Sequence, residues 1–496
     1  MWLMDHQMNQ RLSEEFGEYF VRLPLRTSPH IHHGNALRVD WNEILPASEC
    51  THVLGNPPFV GKKEQTRSQK ADLEKVWGDT KGTGILDYVT CWYRQAAEFI
   101  QGTTISVAFV STNSISQGEQ VAALWEPLNQ RFRMEIEFAH RTFAWQSEAR
   151  GKAHVHCVII GFGQHLDMRR RLFEYEHLGS DPHETVCSNI NAYLTDAPSV
   201  FVTKRRKPIN GAPPIRYGSM MIDKDRKARD DQGLILSPQY RKEMLEECPE
   251  LAPFIRRLYG GDEFLNDVER WCLWLVDAPP QLLQSCKSLR VRLKGIKSFR
   301  SSSSRKRTQE LAATPHLFGE IRQPDGPYLL IPKVSSFNRR YIPSGFLTHD
   351  NIASGSALIV PDAQIFHFGV ISSAMHHAWM TYVAGRMKSD YQYSNAIVYN
   401  NYPWPQKLSD KKRQTVEDAA QAVLDVRETH PDATLADLYD PLSMPTNLTK
   451  AHAKLDRAVD RCYRSQPFPN ERNRVEYLFK LYQKLTAPLL PVKKRK

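Results

Sequence analysis

The chain has 496 residues, 41% hydrophobic and 24% charged, the composition of an ordinary soluble globular protein of about two to four domains. A formal charge of +11 and a pI near 9.1 fit an anionic partner, nucleic acid first, with a merely solvated basic surface as the plainer reading. Eight scattered cysteines without a C-x-x-C pair argue against a zinc site or a disulfide scaffold, and the absence of a secretory signal or of about 18 consecutive apolar residues places the chain in the cytoplasm, away from membranes.

Met1 to about Arg22 has a helical period, with Trp2, Leu3, Met8, Leu12, Phe16 and Phe20 recurring at three- and four-residue intervals. A short strand is expected around Asn35-Ala36-Leu37 and Val39, ending near Asp40-Trp41, and another over Thr51–Gly55. Lys62 to Thr80 is polar and reads as a loop or flap. Leu86–Ile100 is an amphipathic helix, Ile105–Val110 a buried strand, and a helix starts near Gln117. Arg133–Ala139 and His154–Phe162 form a strand pair. Strand, helix, strand, helix and a late strand pair predict an α/β fold over residues 1–165, a doubly wound, Rossmann-like sheet with an antiparallel edge.

Residues 166–405 mix basic clusters, Pro-rich turns and aromatics without a clear helix period, which predicts a mixed α+β domain. One cluster is Lys204-Arg205-Arg206-Lys207. Another, Lys287–Arg307, holds nine Lys or Arg and no acid around Ser301-Ser302-Ser303-Ser304. Nine exposed cations would match a phosphate track, the alternative being a disordered basic loop. Residues 406–496 read as a helical domain, with stripes at Val416, Ala419, Ala420, Val423, Leu424, Val426 and at Leu448, Ala451, Leu455, Ala458, Val459, Tyr463. Asp437, His452 and Asp456 could suggest a metal, but helix packing explains them better.

The chemistry centres on Gly55-Asn56-Pro57-Pro58-Phe59. A strand stops on glycine and opens into a turn whose two prolines fix φ and donate no backbone hydrogen bond. At the carboxyl end of a strand in an open α/β sheet, this is where ligands bind. The Asn56 side-chain oxygen and the Pro57 carbonyl could together hold both hydrogens of an adenine amine. The nitrogen lone pair would then be free to attack a methyl group, with positioning supplying the rate. A paired base cannot reach such a pocket, so it would flip out and stack on Phe59. The competing reading is a plain Asn-Pro turn.

Gly55–Gly61 resembles the catalytic motif of DNA adenine methyltransferases. Ser111-Thr112-Asn113-Ser114-Ile115 with Gln117-Gly118-Glu119-Gln120 resembles the segment that follows it in the MmeI-like, single-chain type IIL restriction-and-modification enzymes. The resemblance runs on through Arg270–Trp274, Gly385-Arg386, Tyr391–Ser394, Tyr399–Pro405, Asp437–Pro441 and Ala451–Asp456. It implies S-adenosylmethionine as cofactor and double-stranded DNA as partner. It also implies Asn56, Pro57, Pro58 and Phe59 as the catalytic turn, Asn35 near the adenine of the methyl donor, and Phe143 or Trp145 walling the target-base pocket. Residues 166–405 become the target-recognition domain. There Lys388 and Asp390 flank Ser389 beside Arg386 and in a strand would project to one face. Lys suits guanine's acceptors and Asp cytosine's amine, so one G·C pair could be read.

The family's glycine-rich donor turn and following carboxylate do not occur before Asn56. The resemblance implies that these, two central strands and a nuclease domain lie upstream of Met1. The expectation is therefore the carboxyl-terminal portion of a longer enzyme, with an incomplete sheet, weak donor binding alone and a possible upstream complementing fragment. The rival expectation is a DNA-binding specificity module without catalysis.

Overall fold

A computed structural model describes residues 2–17, 30–145, 155–164, 169–175, 180–224, 233–387 and 389–487. The first sheet has six strands: β1 (His52–Gly55), β2 (Ser106–Thr112), β3 (Glu135–Trp145), β4 (Val155–Gly163), β5 (Arg170–Glu174) and β6 (His183–Cys187). Their order is β1-β2-β4-β3-β5-β6. β1 runs parallel to β2 and β3 to β5, whereas β4 is antiparallel to both its neighbours and β6 to β5, so four of the six point one way. The sheet thus continues past residue 165, the first-domain limit expected from composition.

The core over this sheet follows from its sequence. Val107, Phe109 and Ser111 alternate inward along β2, while Val158, Ile160 and Phe162 fill β4. Helices Thr90–Phe99 and Gln120–Phe132 cover that face. Tyr93 stacks on Phe162 at 5.2 Å and meets Phe109 and Trp125 edge-on, its hydroxyl 2.8 Å from Ser111 Oγ. Gly161 is required here, because a Cβ would stand 2.1 Å from the Phe138 ring. β1 is an edge strand among the described residues, and its Leu54 is exposed.

Two expected elements differ. The strand foreseen at Asn35–Val39 is a turn, in which Asn35 Oδ1 accepts from Leu37 N and Asp40 caps a short helix, Trp41–Ile44. Short polar side chains that bond the backbone locally displace the ladder. The loop foreseen at Lys62–Thr80 contains the helix Arg67–Trp77, opened by a reciprocal Thr66/Gln69 capping box and anchored by buried Leu73 and Trp77. The amino-terminal helix spans Trp2–Phe16.

The region expected to be the recognition domain is mixed α+β, with small sheets of two- to five-residue strands. One of them is a three-stranded sheet of Val334–Ser335, β7 (Gly385–Met387) and β8 (Asp390–Gln392). Lys287–Arg307 is neither a loop nor a row of nine exposed cations. It holds the helix Lys287–Ser301 and the start of Lys306–Glu310; seven of its nine cations are exposed, while Arg292 and Arg300 are buried. The helical C-terminal domain has Asp410–Glu428, Thr446–Tyr463 and Glu471–Thr486, and both expected stripes face the core, with Ala419, Leu424, Val426 and Tyr463 half-buried and the rest buried. Its last helix joins the body through Phe479, stacked on Tyr193 at 4.9 Å and facing Trp379. No helix among the described residues is long and apolar enough to cross a membrane.

Candidate catalytic turn and interdomain cleft

β1 ends at Gly55, whose Cα partner is Phe109; a Cβ at Gly55 would lie 3.1 Å from that ring. The chain leaves the sheet as Asn56 (exposed), Pro57 (buried), Pro58 (exposed) and Phe59 (half-buried). Asn56 makes no side-chain hydrogen bond among the described residues, so its amide is free to meet a ligand. The Pro58 carbonyl accepts from Val60 N at 3.1 Å, which tightens the turn.

The downstream arm of the turn is clamped to two other segments. Tyr88 N donates to the Val60 carbonyl at 2.9 Å and Gln65 Nε2 to the Leu86 carbonyl at 3.0 Å. Asp87 Oδ1 accepts from Lys62 N at 2.9 Å, and its Oδ2 accepts from Ser114 Oγ at 2.6 Å. Asp87 N donates to Gln120 Oε1 at 2.9 Å. Sequence reasoning missed Asp87, since a carboxylate at the start of a helical pattern reads as an ordinary cap, and it quoted Gln120 within a motif without giving it a role.

A cleft of about 620 Å³ opens beside this arm, with Lys62, Asp87, Ser114 and Gln117 on one wall and Lys333, Arg386 and Gln392 on the other. It lies within the ~300–1,000 Å³ range of ligand sites. A smaller cavity of about 220 Å³ shares Gln117 and Arg386 and adds Asn113, Arg141 and His156. The two walls touch at glycines. Gly118 has φ +66°, its N–H bonds the Val383 carbonyl at 3.2 Å, and a Cβ there would stand 2.9 Å from Gly385 Cα. Lys204 adds an ion pair with Glu119, and Arg205 bonds Asn401 Oδ1, so half of that basic cluster serves packing.

Arg386 lies on β7 in the cleft wall, its guanidinium 3.8 Å from the Tyr391 ring centroid and donating to the Ser389 carbonyl at 3.0 Å. Lys388 lies outside the described residues. Met387, the end of β7, pairs with Asp390, the start of β8, so Arg386 and Asp390 lie on neighbouring strands and not on the single strand that had been expected. Asp390 Oδ1 accepts weakly from Phe337 N at 3.4 Å.

Asn35 belongs to a bracket behind the turn. Its amide donates to Asp72 Oδ2 at 3.3 Å and its carbonyl takes Leu37 N. Burial raises the Asp72 carboxyl, but hydrogen bonds from Arg38, Tyr88 and Asn35 outweigh it and hold the group below the usual range. Tyr88 is pushed up to about 12 by burial and by Asp72. Phe143 is half-buried with its ring 5.7 Å from Tyr175, beyond a bulge in β3; the Trp145 side chain lies outside the described residues. Asp437 caps Thr434, His452 bonds the Tyr439 hydroxyl, and Asp456 takes the Tyr341 hydroxyl and Ala374 N, so these three pack and cap. No group of three or more His, Cys, Asp or Glu that could hold a metal occurs among the described residues.

Three family models match in succession: the MmeI DNA-methyltransferase domain over residues 1–174, the MmeI target recognition domain over 196–406 and the MmeI C-terminal domain over 408–490. DNA methyltransferase A of Bacillus subtilis (strain 168) is 39% identical over 490 residues, covering 98% of this chain and 54% of that protein. The type IIL restriction-modification enzyme MmeI, solved in complex with DNA, superposes with a TM-score of 0.83 at 45% identity, over 98% of this chain and 64% of the other. The chain therefore spans between half and two thirds of the length of these relatives.

Proposed function

The chain belongs to the MmeI family, and we propose that it acts as a site-specific DNA adenine methyltransferase of a restriction-modification system, working on double-stranded DNA in the cytoplasm. The observation that carries this reading is the placement of Asn56. Its unengaged side chain stands at the carboxyl end of a parallel strand, and the arm after it walls a cleft whose far side is the recognition region.

In this reading the DNA lies along the cleft and one adenine swings out towards the turn. Asn56 Oδ1 and the Pro57 carbonyl accept the two amine hydrogens, which frees the nitrogen lone pair. Phe59, half-exposed beside them, stacks on the ring. S-adenosylmethionine supplies the electrophilic methyl group when bound. Asn35 is the one donor-site candidate among the described residues, and both polar groups of its side chain are already engaged. Phe143 and Trp145 would border the base pocket, while Arg386, Lys388 and Asp390 would contact base edges. Phosphate contacts by the exposed cations would set register without reading sequence.

That engagement of Asn35 favours a second reading, a specificity module that binds DNA without catalysis. Incubating duplex DNA free of adenine methylation with tritiated S-adenosylmethionine separates the two. The methyltransferase reading expects label on the adenine amine and a loss of ~100-fold or more in Asn56→Ala, with DNA affinity nearly unchanged. Label on cytosine, or undiminished transfer by Asn56→Ala, sinks it. DNA binding without transfer supports the specificity module.

A further inference from the structure

Asp87 stands where three segments meet, and its contacts reach further than a helix cap requires. Of its two carboxylate oxygens, one holds the amide of Lys62, three residues after Phe59, and the other holds Ser114, just beyond the end of β2. Its amide is held by Gln120. The next residue, Tyr88, bonds the carbonyl of Val60, so two consecutive residues grip the same arm from both sides. Asp87 is buried, yet lines the cleft. Ser114 and Gln120 flank Gly118, the point at which the recognition hairpin meets the methyltransferase wall backbone to backbone.

We propose that Asp87 is the positioning residue of the catalytic turn, fixing the Asn56–Phe59 segment relative to the Ser114–Gln120 wall and, through Gly118 and Gly385, to the recognition hairpin. The proposal rests on the methyltransferase reading above. The role is geometric. An asparagine at 87 can still accept from Lys62 N with its carbonyl oxygen and can donate to Ser114 Oγ with its amide. The Ser114 hydroxyl proton can then turn to Thr112 Oγ1, already 2.8 Å away. An alanine loses both bonds. A displacement of the turn on the order of 1 Å is enough to cost ~100-fold in turnover.

The test compares the full chain with Asp87→Ala and Asp87→Asn by two readouts. The first is methyl transfer from tritiated S-adenosylmethionine to unmethylated duplex DNA, analysed for kcat and for the DNA KM. The second is backbone hydrogen exchange of the peptide covering residues 56–64. We expect Asp87→Ala to lower kcat by ~100-fold with the KM within a few-fold, and to speed exchange at Lys62. Asp87→Asn should recover most of the turnover and of the protection. Unchanged exchange in Asp87→Ala overturns the clamp whatever the activity. An Asp87→Asn variant as slow as Asp87→Ala, but with protection intact, shows that the charge matters and overturns a purely geometric role. If the unaltered chain transfers no methyl while Asp87→Ala still loosens the arm, the methyltransferase reading fails and the clamp stands as a structural feature.

Discussion

Replacing Arg300 by methionine tests whether the most basic stretch of the chain serves DNA or the fold. The Arg300 side chain is fully buried at the end of helix Lys287–Ser301. All five of its N–H groups are used, each on a main-chain carbonyl. Nε donates to Ile222 at 2.8 Å, Nη1 to Leu311 and Thr314 at 3.0 and 2.9 Å, and Nη2 to Met221 and Leu317 at 2.9 and 2.8 Å. Burial lowers its pKa, with Asp223 opposing, and no carboxylate bonds it directly. Five hydrogen bonds to a charged donor contribute ~1.5–3 kcal/mol each before the several kcal/mol needed to dehydrate a guanidinium are set against them. Methionine fills much of the volume but leaves five carbonyl oxygens facing an apolar side chain. The net loss should be about 3–5 kcal/mol, a large share of a domain's ~5–15 kcal/mol. Urea unfolding followed by tryptophan fluorescence measures it, and limited proteolysis should find residues 311–317 newly open. A stability change below about 1 kcal/mol, together with a weaker salt dependence of DNA binding, would instead mean that Arg300 reaches phosphate and would refute the argument.

The exposed cations of the same helix should behave in the opposite way. Lys294→Ala combined with Lys297→Ala should leave the unfolding midpoint in place and reduce the slope of log affinity against log salt by about 1 for each phosphate no longer neutralised, as read by fluorescence anisotropy on duplex DNA. Buried histidines should make the fold acid-sensitive. Burial and the neighbouring His377 lower His376 to about 3, and burial with Arg427 holds His452 well below its ordinary value. Both are neutral when folded and titrate near 6.5 when unfolded, so their contribution is intact above about pH 6.5 and is lost as pH falls towards the folded values. Each should cost about 1 kcal/mol per pH unit in that window; urea midpoints that do not move between about pH 7 and pH 5 would contradict this. Gly118→Ala should cost about 1 kcal/mol from its left-handed backbone and push the recognition hairpin off the catalytic wall, since its Cβ would meet Gly385 Cα. The expected readout is a lower thermal midpoint with a reduced preference for the cognate site over near-cognate duplexes.

What could be read from the sequence follows how local the chemistry is. Val107, Phe109, Val158 and Ile160 announce their strands because each run is long enough to carry its own period, and the helical stripes of Val416–Val423 and Leu448–Val459 do the same. The Asn56–Phe59 turn is legible because prolines after a strand-ending glycine leave few alternatives. Asn35–Asp40 misleads for the opposite reason: its apolar residues suggest a strand, while Asn35 and Asp40 bond the backbone and turn it. The helix at Arg67–Trp77 is hidden because its buried face is little more than Leu73 and Trp77 around the polar Asp72. In the recognition region the strands are two to five residues long, too short for a period to emerge, and the helix at Lys287–Ser301 is masked by its own charge.

The features that join reading to chemistry are of another kind. Arg386 is expected from the sequence to face DNA, but nothing there shows that Tyr391 and the Ser389 carbonyl hold its guanidinium in the cleft wall. Gly118 and Gly385 look like ordinary turn residues until two backbones cross there with no room for a methyl group. Asp87 looks like a cap until its two oxygens are found on different segments. Gly118 and Gly385, and Asp87 with Lys62 and Ser114, are pairs far apart in sequence and involve no rare residue type, so spacing alone gives no sign that they touch. Asp87 ties the arm after the turn to Ser114, Gly118 ties that wall to Gly385, and Tyr391 and Ser389 hold Arg386 within the hairpin. The proposed function, acting on one base while reading others, needs the distance from turn to hairpin held to a fraction of an ångström. Substitutions along the path Asn56–Lys62–Asp87–Gln120–Gly118–Gly385–Arg386 should therefore disturb turnover and site preference together, whereas substitutions of exposed cations on helix Lys287–Ser301 should disturb affinity alone.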